Sequence, residues 1–288
     1  MNIAELVKSG KFVVTAEVGP PKGIYIQEML DDSELMRGRV DAINVTDQQS
    51  SVMRLGSLAT CRLLKEKGLE PVLQMTCRDR NRIALQSDLL SAYVLGIENV
   101  LCLTGDYVSL GDHPQAKPVF DLDSVSLLQA ARKLEQGQDL AGKELIGVPR
   151  FCLGAVVTPG ADPLEPQLIK MEKKVKVGAQ FFQTQAVYEP EKFEEFMKAV
   201  EYLKVPVLVG IVLLRSAAMA RFMNKNVAGV HVPDNLIEEM DQAKNRVQKS
   251  IEIASHLIKE MKPLCQGVHI MAIGWEKRVP TVLDAAGL

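Results

Sequence analysis

Two carboxylates stand where apolar runs end. Glu17 closes Val13-Val14-Thr15-Ala16 just ahead of Val18-Gly19-Pro20-Pro21, and Asp106 closes Leu103-Thr104-Gly105. Each follows a run rich in β-branched or aliphatic residues and precedes turn residues, a pattern that places it at the C-terminal rim of a parallel strand. An acid there can hold a proton for transfer, and neighbouring amides and hydroxyls can pair with the donors and acceptors of a polar heterocycle. The expected rim set is Glu17, Thr46, Asp47, Thr76, Gly105, Asp106, Thr158, Gln183, Gln185, Ile211 and Ile273 to Trp275. The competing readings are a solvated loop charge for Glu17 and an ordinary Gly-Asp turn for Asp106.

Other residue types exclude more than they suggest. His113, His231, His256 and His269 are isolated in sequence, with no metal-ligand spacing, so no metal site is expected. No nucleophile-elbow sequence recommends a Ser-His-Asp triad. His113, in Gly111-Asp112-His113-Pro114, reads as a loop-ordering residue, and the twelve methionines read as core filler. The run from Lys170 to Lys176 reads as a solvated helix face, with phosphate binding as its alternative.

The elements that must position these residues alternate along the chain. Strand-like runs fall at 12–18, 41–46, 71–76, 98–103, 151–157, 180–185, 206–212 and 267–273, separated by helical patterns at 26–37, 54–67, 80–95, 124–136, 165–177, 190–203 and within 233–262. Parallel strands need crossover helices, so eight such repeats, ending in a short helix around 279–286, predict a closed (β/α)8 TIM barrel of the α/β class, with a doubly wound open sheet as runner-up. Gly38, Gly68, Gly96 and Gly178 each follow a helical run where a left-handed cap is commonly needed. The longest irregular connection, 107–122, follows the fourth strand on the expected catalytic rim.

The chain has 288 residues, 47% of them hydrophobic, and a formal charge of −2. That predicts a single domain over 1–288 and, with Lys and Arg scattered, a small-molecule partner and no nucleic acid or membrane. Cys61, Cys77, Cys102, Cys152 and Cys265 lie far apart in mostly apolar stretches, as reduced structural thiols of the cytoplasm do. No apolar run approaches the ~18 residues of a membrane span, and no basic region precedes an apolar one at the N-terminus, so a soluble, unprocessed protein is expected.

At these residues the sequence resembles the methylenetetrahydrofolate reductase family, flavin-dependent (β/α)8 enzymes of one-carbon metabolism. Ala16-Glu17-Val18-Gly19-Pro20-Pro21 resembles the family's opening Glu-x-x-Pro-Pro, Asn44-Val45-Thr46 its second-strand Val-Thr, and Leu103-Thr104-Gly105-Asp106 its Leu-x-Gly-Asp. Lys174-Val175-Lys176-Val177-Gly178-Ala179 with Thr184-Gln185 resembles its Lys-Val-x-x-Gly-Ala and Thr-Gln. The stretch from Gly111 to Ser124 is similar to a branch found in anaerobes and in reductases fused to homocysteine methyltransferases.

The resemblance implies reduction of 5,10-methylenetetrahydrofolate to 5-methyltetrahydrofolate, with hydride from reduced flavin. It implies that Glu17 is the general acid opening the folate's five-membered ring, that Asp106 stabilises the cationic intermediate beside the flavin, and that Gln185 and Ile273 contact the folate. It implies flavin contacts at Thr46, Gln74, Leu103, Thr104, Gly105, Asp106, Phe120, Asp121, Val156, Thr158, Lys173 and Lys174. Thr104, Thr158, Gln74 and Asp162 stand where well-studied branches commonly carry Arg, Tyr and His. FAD is the family's flavin, and loss of the Arg and His contacts to its adenosine or diphosphate makes FMN the alternative. Ala217 stands near a family aromatic, so the electron donor is either NAD(P)H or a partner iron–sulfur electron-transfer protein. A homo-oligomer or hetero-oligomer, and a role in methionine biosynthesis or in energy metabolism, both accord with the resemblance. The competing functions are a flavin- or folate-holding subunit active only with its partner, and a flavin-free pterin-binding barrel.

Overall fold

The computed structural model describes residues 1–288. Eight parallel strands, β1 (Val13–Val18), β2 (Ala42–Val45), β3 (Pro71–Thr76), β4 (Asn99–Leu103), β5 (Cys152–Val157), β6 (Phe181–Ala186), β7 (Val207–Val212) and β8 (Gly267–Met271), close into a barrel in chain order. β8 returns to β1 with Val13 opposite Gly267 and Thr15 opposite His269. The predicted barrel is the observed one, and Gly38, Gly68, Gly96 and Gly178 all carry positive φ.

A period of two organises every strand. Val14, Ala16 and Val18 face outward and join a 65-residue apolar cluster between sheet and helices, as do Ile43 and Val45, Leu73 and Met75, and Val207, Val209 and Ile211. Ile211 thus belongs to the outer wall, and the expectation of a rim position for it is corrected by strand parity. The alternate set faces inward. Its lower layer, with Val13, Val72, Leu101, Cys152, Phe181 and Leu208, forms a separate apolar cluster that also takes in Ile3 and Ala4. The Phe181 ring fills the space beside Gly154, where a Cβ would lie 2.2 Å from it.

Ile3 and Ala4 belong to a short helix, α1 (Ile3–Lys8), which seals the floor of the barrel. Its six residues are too few to show a helical period in sequence, yet its entry is fixed by a capping box. Asn2 Oδ1 accepts from the Glu5 N–H at 3.0 Å, and Glu5 Oε2 accepts from the Asn2 N–H at 3.1 Å.

The outer helices are α2 (Gln27–Leu35), α3 (Ser57–Glu66), α4 (Arg82–Val94), α5 (Ser124–Glu135), α6 (Glu165–Lys176), α7 (Pro190–Val200), α8 (Ala217–Asn226), α9 (Asp234–Gln242), α10 (Arg246–Met261) and α11 (Val279–Ala286). The stretch within 233–262 is two helices, because Asn245 caps a fresh start by accepting from the Gln248 N–H at 3.1 Å. The sequence reading lacks α8, whose buried face is carried by Ala217, Ala220 and Met223, with little apolar bulk.

Candidate functional site

Above the floor, the inward positions of the same strands turn polar. Thr15, Asn44, Gln183 and His269 form a buried layer. Asn44 and Gln183 exchange two hydrogen bonds, at 2.8 and 3.1 Å, and Gln183 Nε2 donates to Thr15 Oγ1 at 3.2 Å. Thr15 Oγ1 also lies 2.9 Å from His269 Nδ1. Gln183 is therefore an interior residue one layer below the predicted rim.

Glu17 comes next on β1 and is 8% exposed. Its Oε2 accepts from Gln74 Nε2 on β3 at 3.1 Å, and its Oε1 accepts from Gln49 Nε2 at 3.4 Å. His269 Nε2, on β8, lies 3.7 Å from Oε2. The histidine that looks isolated in sequence is thus the group that links Glu17 to the polar layer beneath it. No lysine or arginine reaches Glu17; its partners are amides and an imidazole, groups that accept as well as donate. Sequence reasoning missed Gln49 and His269. The one available signal was parity, since His269 lies two residues beyond Gly267 on the same inward face as Thr15.

The first four loops of the mouth are tied together. Asp47 accepts from the Thr76 N–H at 2.8 Å and from Thr76 Oγ1 at 3.0 Å, and pairs with Arg80, which also reaches Asp88 at 3.1 Å. Asp47 and Thr76 thus lash β2 to β3. Gly105 continues the seam with φ +96°, and a Cβ on it would sit 3.0 Å from Thr76 Cβ. In the following segment Asp112 pairs with Lys22, accepts from the Met53 N–H at 3.1 Å, and lies 2.8 Å from His113 Nδ1. Hydrogen bonds from Lys22 lead the effects that hold the Asp112 carboxyl well below the usual range. His113 is exposed, and its side chain meets only the neighbouring Asp112.

Asp106 is exposed, and neither it nor Gln185 nor Ile273 hydrogen-bonds to Glu17. Gln185 is half-buried in β6, where pairing to β7 shifts register between Gln183 and Ala186. Ile273 sits at φ +48°, its carbonyl accepting from Arg215 Nη1 at 3.0 Å, with the Arg215 guanidinium 5.8 Å from the centre of the Trp275 ring. Phe120, at φ +41°, meets Tyr107 edge to face at 5.9 Å.

Three predicted cofactor residues already have partners within the protein. Gln74 holds Glu17; Thr104 Oγ1 accepts from the Ser124 N–H at 3.2 Å at the start of α5; Asp121 binds the Arg82 side chain at 2.8 and 2.9 Å. Those Arg82 hydrogen bonds bring the Asp121 carboxyl down to about 2. Two others have unspent capacity. Thr46 Oγ1 is buried without any hydrogen-bond partner. Lys174, from α6, is 6% exposed, and Nζ has a single partner, the Val156 carbonyl at 2.6 Å. Burial, and then the nearby charge of Lys170, bring its amine down to about 8. Lys173 is exposed, while Leu103, Val156 and Thr158 are half-buried.

No group of three or more His, Cys, Asp or Glu is placed to hold a metal ion, and no helix is long and apolar enough to cross a membrane. All five cysteines are buried and free, and burial pushes the Cys77 thiol up to about 12.

A sequence profile of the family described as methylenetetrahydrofolate reductase matches residues 2–287. The chain belongs to that family. Methylenetetrahydrofolate reductase 2 of Schizosaccharomyces pombe is 25% identical over the whole chain and 47% of its own length. The 5,10-methylenetetrahydrofolate reductase of Pectobacterium carotovorum subsp. carotovorum is 26% identical over 68% of the chain and 60% of its own length. The chain thus spans about half the length of the curated relatives it matches. Among solved structures, the fold is similar to that of an uncharacterized Clostridium thermocellum protein described as binding two copies of 5-methyl-5,6,7,8-tetrahydrofolic acid. That match has TM-score 0.67 and 14% identity, and covers 99% of this chain and 98% of the other. In the family's motif positions, Glu17, Thr46 and Asp106 all stand at C-terminal strand ends or just beyond them, and Glu17 is the one drawn into a hydrogen-bonded network.

Proposed function

We propose that the chain reduces 5,10-methylenetetrahydrofolate to 5-methyltetrahydrofolate with a bound flavin, Glu17 acting as general acid. The observation that carries this is the placement of Glu17: a nearly buried carboxyl at the mouth, held through Gln74 and backed by His269 and Thr15. Family membership and the folate bound by the Clostridium thermocellum protein support the substrate class.

The residues present fit a flavin. An orphaned buried hydroxyl on Thr46 awaits a donor or acceptor, and Lys174 is a nearly buried amine with one neutral partner, a place where an anionic group would stabilise the ammonium. Thr46, Leu103, Gly105, Phe120, Val156, Thr158, Lys173 and Lys174 would hold the cofactor, with Asp106 between it and the substrate. Reduced flavin, when bound, supplies the hydride for the methylene carbon.

The chain's own residues handle the proton. The Glu17 O–H bond breaks as its proton moves to the folate nitrogen whose bond to the bridging carbon is released, and Gln74 stabilises the carboxylate left behind. The proton is replaced from solvent at the mouth between turnovers, while His269, with Thr15 behind it, backs the carboxyl from below. Gln185 and Ile273 contact the folate, and Asp106 offsets the positive charge that develops on it.

A second reading makes the chain a subunit that receives electrons from an iron–sulfur partner in place of NAD(P)H. It is favoured by Tyr107 and Leu110, which are 72% and 70% exposed on the loop at the mouth. The deciding experiment is anaerobic: reduce the purified chain with dithionite, add methylenetetrahydrofolate, and follow the flavin band. Reoxidation supports the reductase, a flavin that stays reduced until a partner is added supports the second reading, and a colourless, folded protein overturns both.

A further inference from the structure

We infer that Gln49 is a positioning residue for Glu17, carried to it by a strained loop that the segment after β4 clamps in place. The inference rests on the reading of Glu17 as a proton donor. Three non-glycine residues around Gln49 lie in the left-handed region: Gln48 at φ +53°, Ser50 at +56° and Ser51 at +59°. Such conformations persist where surrounding contacts over-determine them, and they cluster at functional sites.

The contacts that hold this loop come from two directions. Gln48 Oε1 accepts from the Arg54 N–H at 3.1 Å. Ser51 Oγ directs its proton between the carbonyls of Asp106 and Tyr107, at 3.2 and 3.0 Å, and accepts from Arg78 Nη1 at 3.0 Å. Gly111 packs so closely that a Cβ on it would fall 1.9 Å from the Ser51 carbonyl oxygen. Asp112 secures the next turn through Met53 and Lys22. With the backbone fixed at both sides, the Gln49 side chain is delivered to Glu17 Oε1, while Gln74, on the rigid β3, serves Oε2.

A carboxamide suits this task because it presents donors on one side and an acceptor on the other. It can donate to the carboxylate and, after a half-turn about its terminal bond, accept from the protonated acid. Gln49, at 3.4 Å on an exposed loop, has the looser bond and the freedom to turn; Gln74, at 3.1 Å in a buried strand, does not. His269 is the one titratable group within ion-pair distance of Glu17 and is common to every variant below.

The test compares wild type, Gln49→Met and Gln49→Glu in single-turnover reoxidation of the reduced holoprotein by methylenetetrahydrofolate across pH. Gln49→Met should slow the step about three- to tenfold, the scale of one ordinary hydrogen bond as befits its length, with flavin content and folate dissociation constant unchanged. Gln49→Glu, which sets a like charge against Glu17, should slow it further and displace the pH profile to higher pH. A residue that only fills space treats Met and Glu alike, so matching rates and profiles for the two variants overturn the inference. Carboxyl 13C NMR of glutamate-labelled holoprotein, with the Glu17 signal assigned by its loss in Glu17→Gln, supplies a readout free of turnover. A Glu17 titration that differs between wild type and Gln49→Met upholds the positioning role even if wild type fails to oxidise its flavin with folate, a failure that would count against the reductase reading alone. Identical titrations overturn the positioning role.

Discussion

At the floor of the barrel the inward positions are Val13, Val72, Leu101, Phe181 and Leu208, closed from below by Ile3 and Ala4. Two to four residues further along the same strands they become Thr15, Gln74, Gln183 and Glu17, each joined to a partner by a hydrogen bond. Apart from the register shift after Gln183 on β6, the same strands and the same alternation serve both levels, so the difference lies in what each level asks of its neighbours. Apolar contact is non-directional and needs only matching volume, whereas a buried polar group needs a partner at a defined distance and angle. The floor therefore sets how firmly the barrel stands, and the mouth sets which atoms meet.

The largest effect should come from the floor. Phe181→Ala empties the space over Gly154 and should lower unfolding free energy by about 3–5 kcal/mol in urea denaturation, leaving the reactivity of the folded fraction intact. A loss of reactivity at unchanged stability would contradict the division between the two levels.

Lys174 comes next, on the wall of the mouth. Its folded-state value of about 8 lies below that of an unfolded lysine, so burial of the charge costs stability below pH 8, and that cost disappears as pH rises from about 8 towards 10.5. Measured without added flavin, wild type should gain on the order of 3 kcal/mol relative to Lys174→Met across that window. Parallel stability curves for the two proteins would show that the amine is not desolvated. The same variant should lose flavin on gel filtration while wild type retains it.

Glu17→Gln should retain fold and flavin but slow folate-dependent reoxidation by about 10²-fold or more, the scale of a lost general acid. Full activity would remove Glu17 from the proton step. Asp112→Asn should have the smallest effect, because its partners are exposed. The expected sign is faster proteolysis within 107–122 with little change in thermal midpoint, and an unchanged digestion pattern would mean the Lys22 contact does not hold the loop.

The floor was legible in the sequence because it is local. The β-branched runs, their alternation and the glycines after each helix specify strands, faces and turns without knowledge of partners, and these suffice for eight strands and a closed sheet. Glu17 was legible for the same reason, since it ends such a run. Its surroundings were not. His269 reaches it from the last strand, Gln49 from a loop whose path is set by three left-handed residues, and Gln74 through a register that only the assembled sheet defines. Ile211 shows the converse error, in which position near a strand end suggested the mouth while parity with Val207 and Val209 placed it in the outer wall. The Arg80–Asp47 pair, which fastens β2 to β3, involves a cation that no spacing rule assigns to that acid.

Closure of β8 on β1 brings Thr15 and His269 together across 254 residues of chain. During synthesis, which delivers the N-terminal strands first, Glu17 is made early and can meet Gln49 and Gln74 long before the imidazole emerges. Until β8 docks, the sheet has two open edges, at β1 and β7, and those edges can pair with other chains. Such long-range pairing is also the slow kind, because the loop entropy is lost before the contacts form. The final strand thus does two things in one event: it removes the exposed edges of the nascent sheet and sets His269 beneath Glu17, so the surroundings of that carboxyl are complete only once the sheet has no edge left to offer.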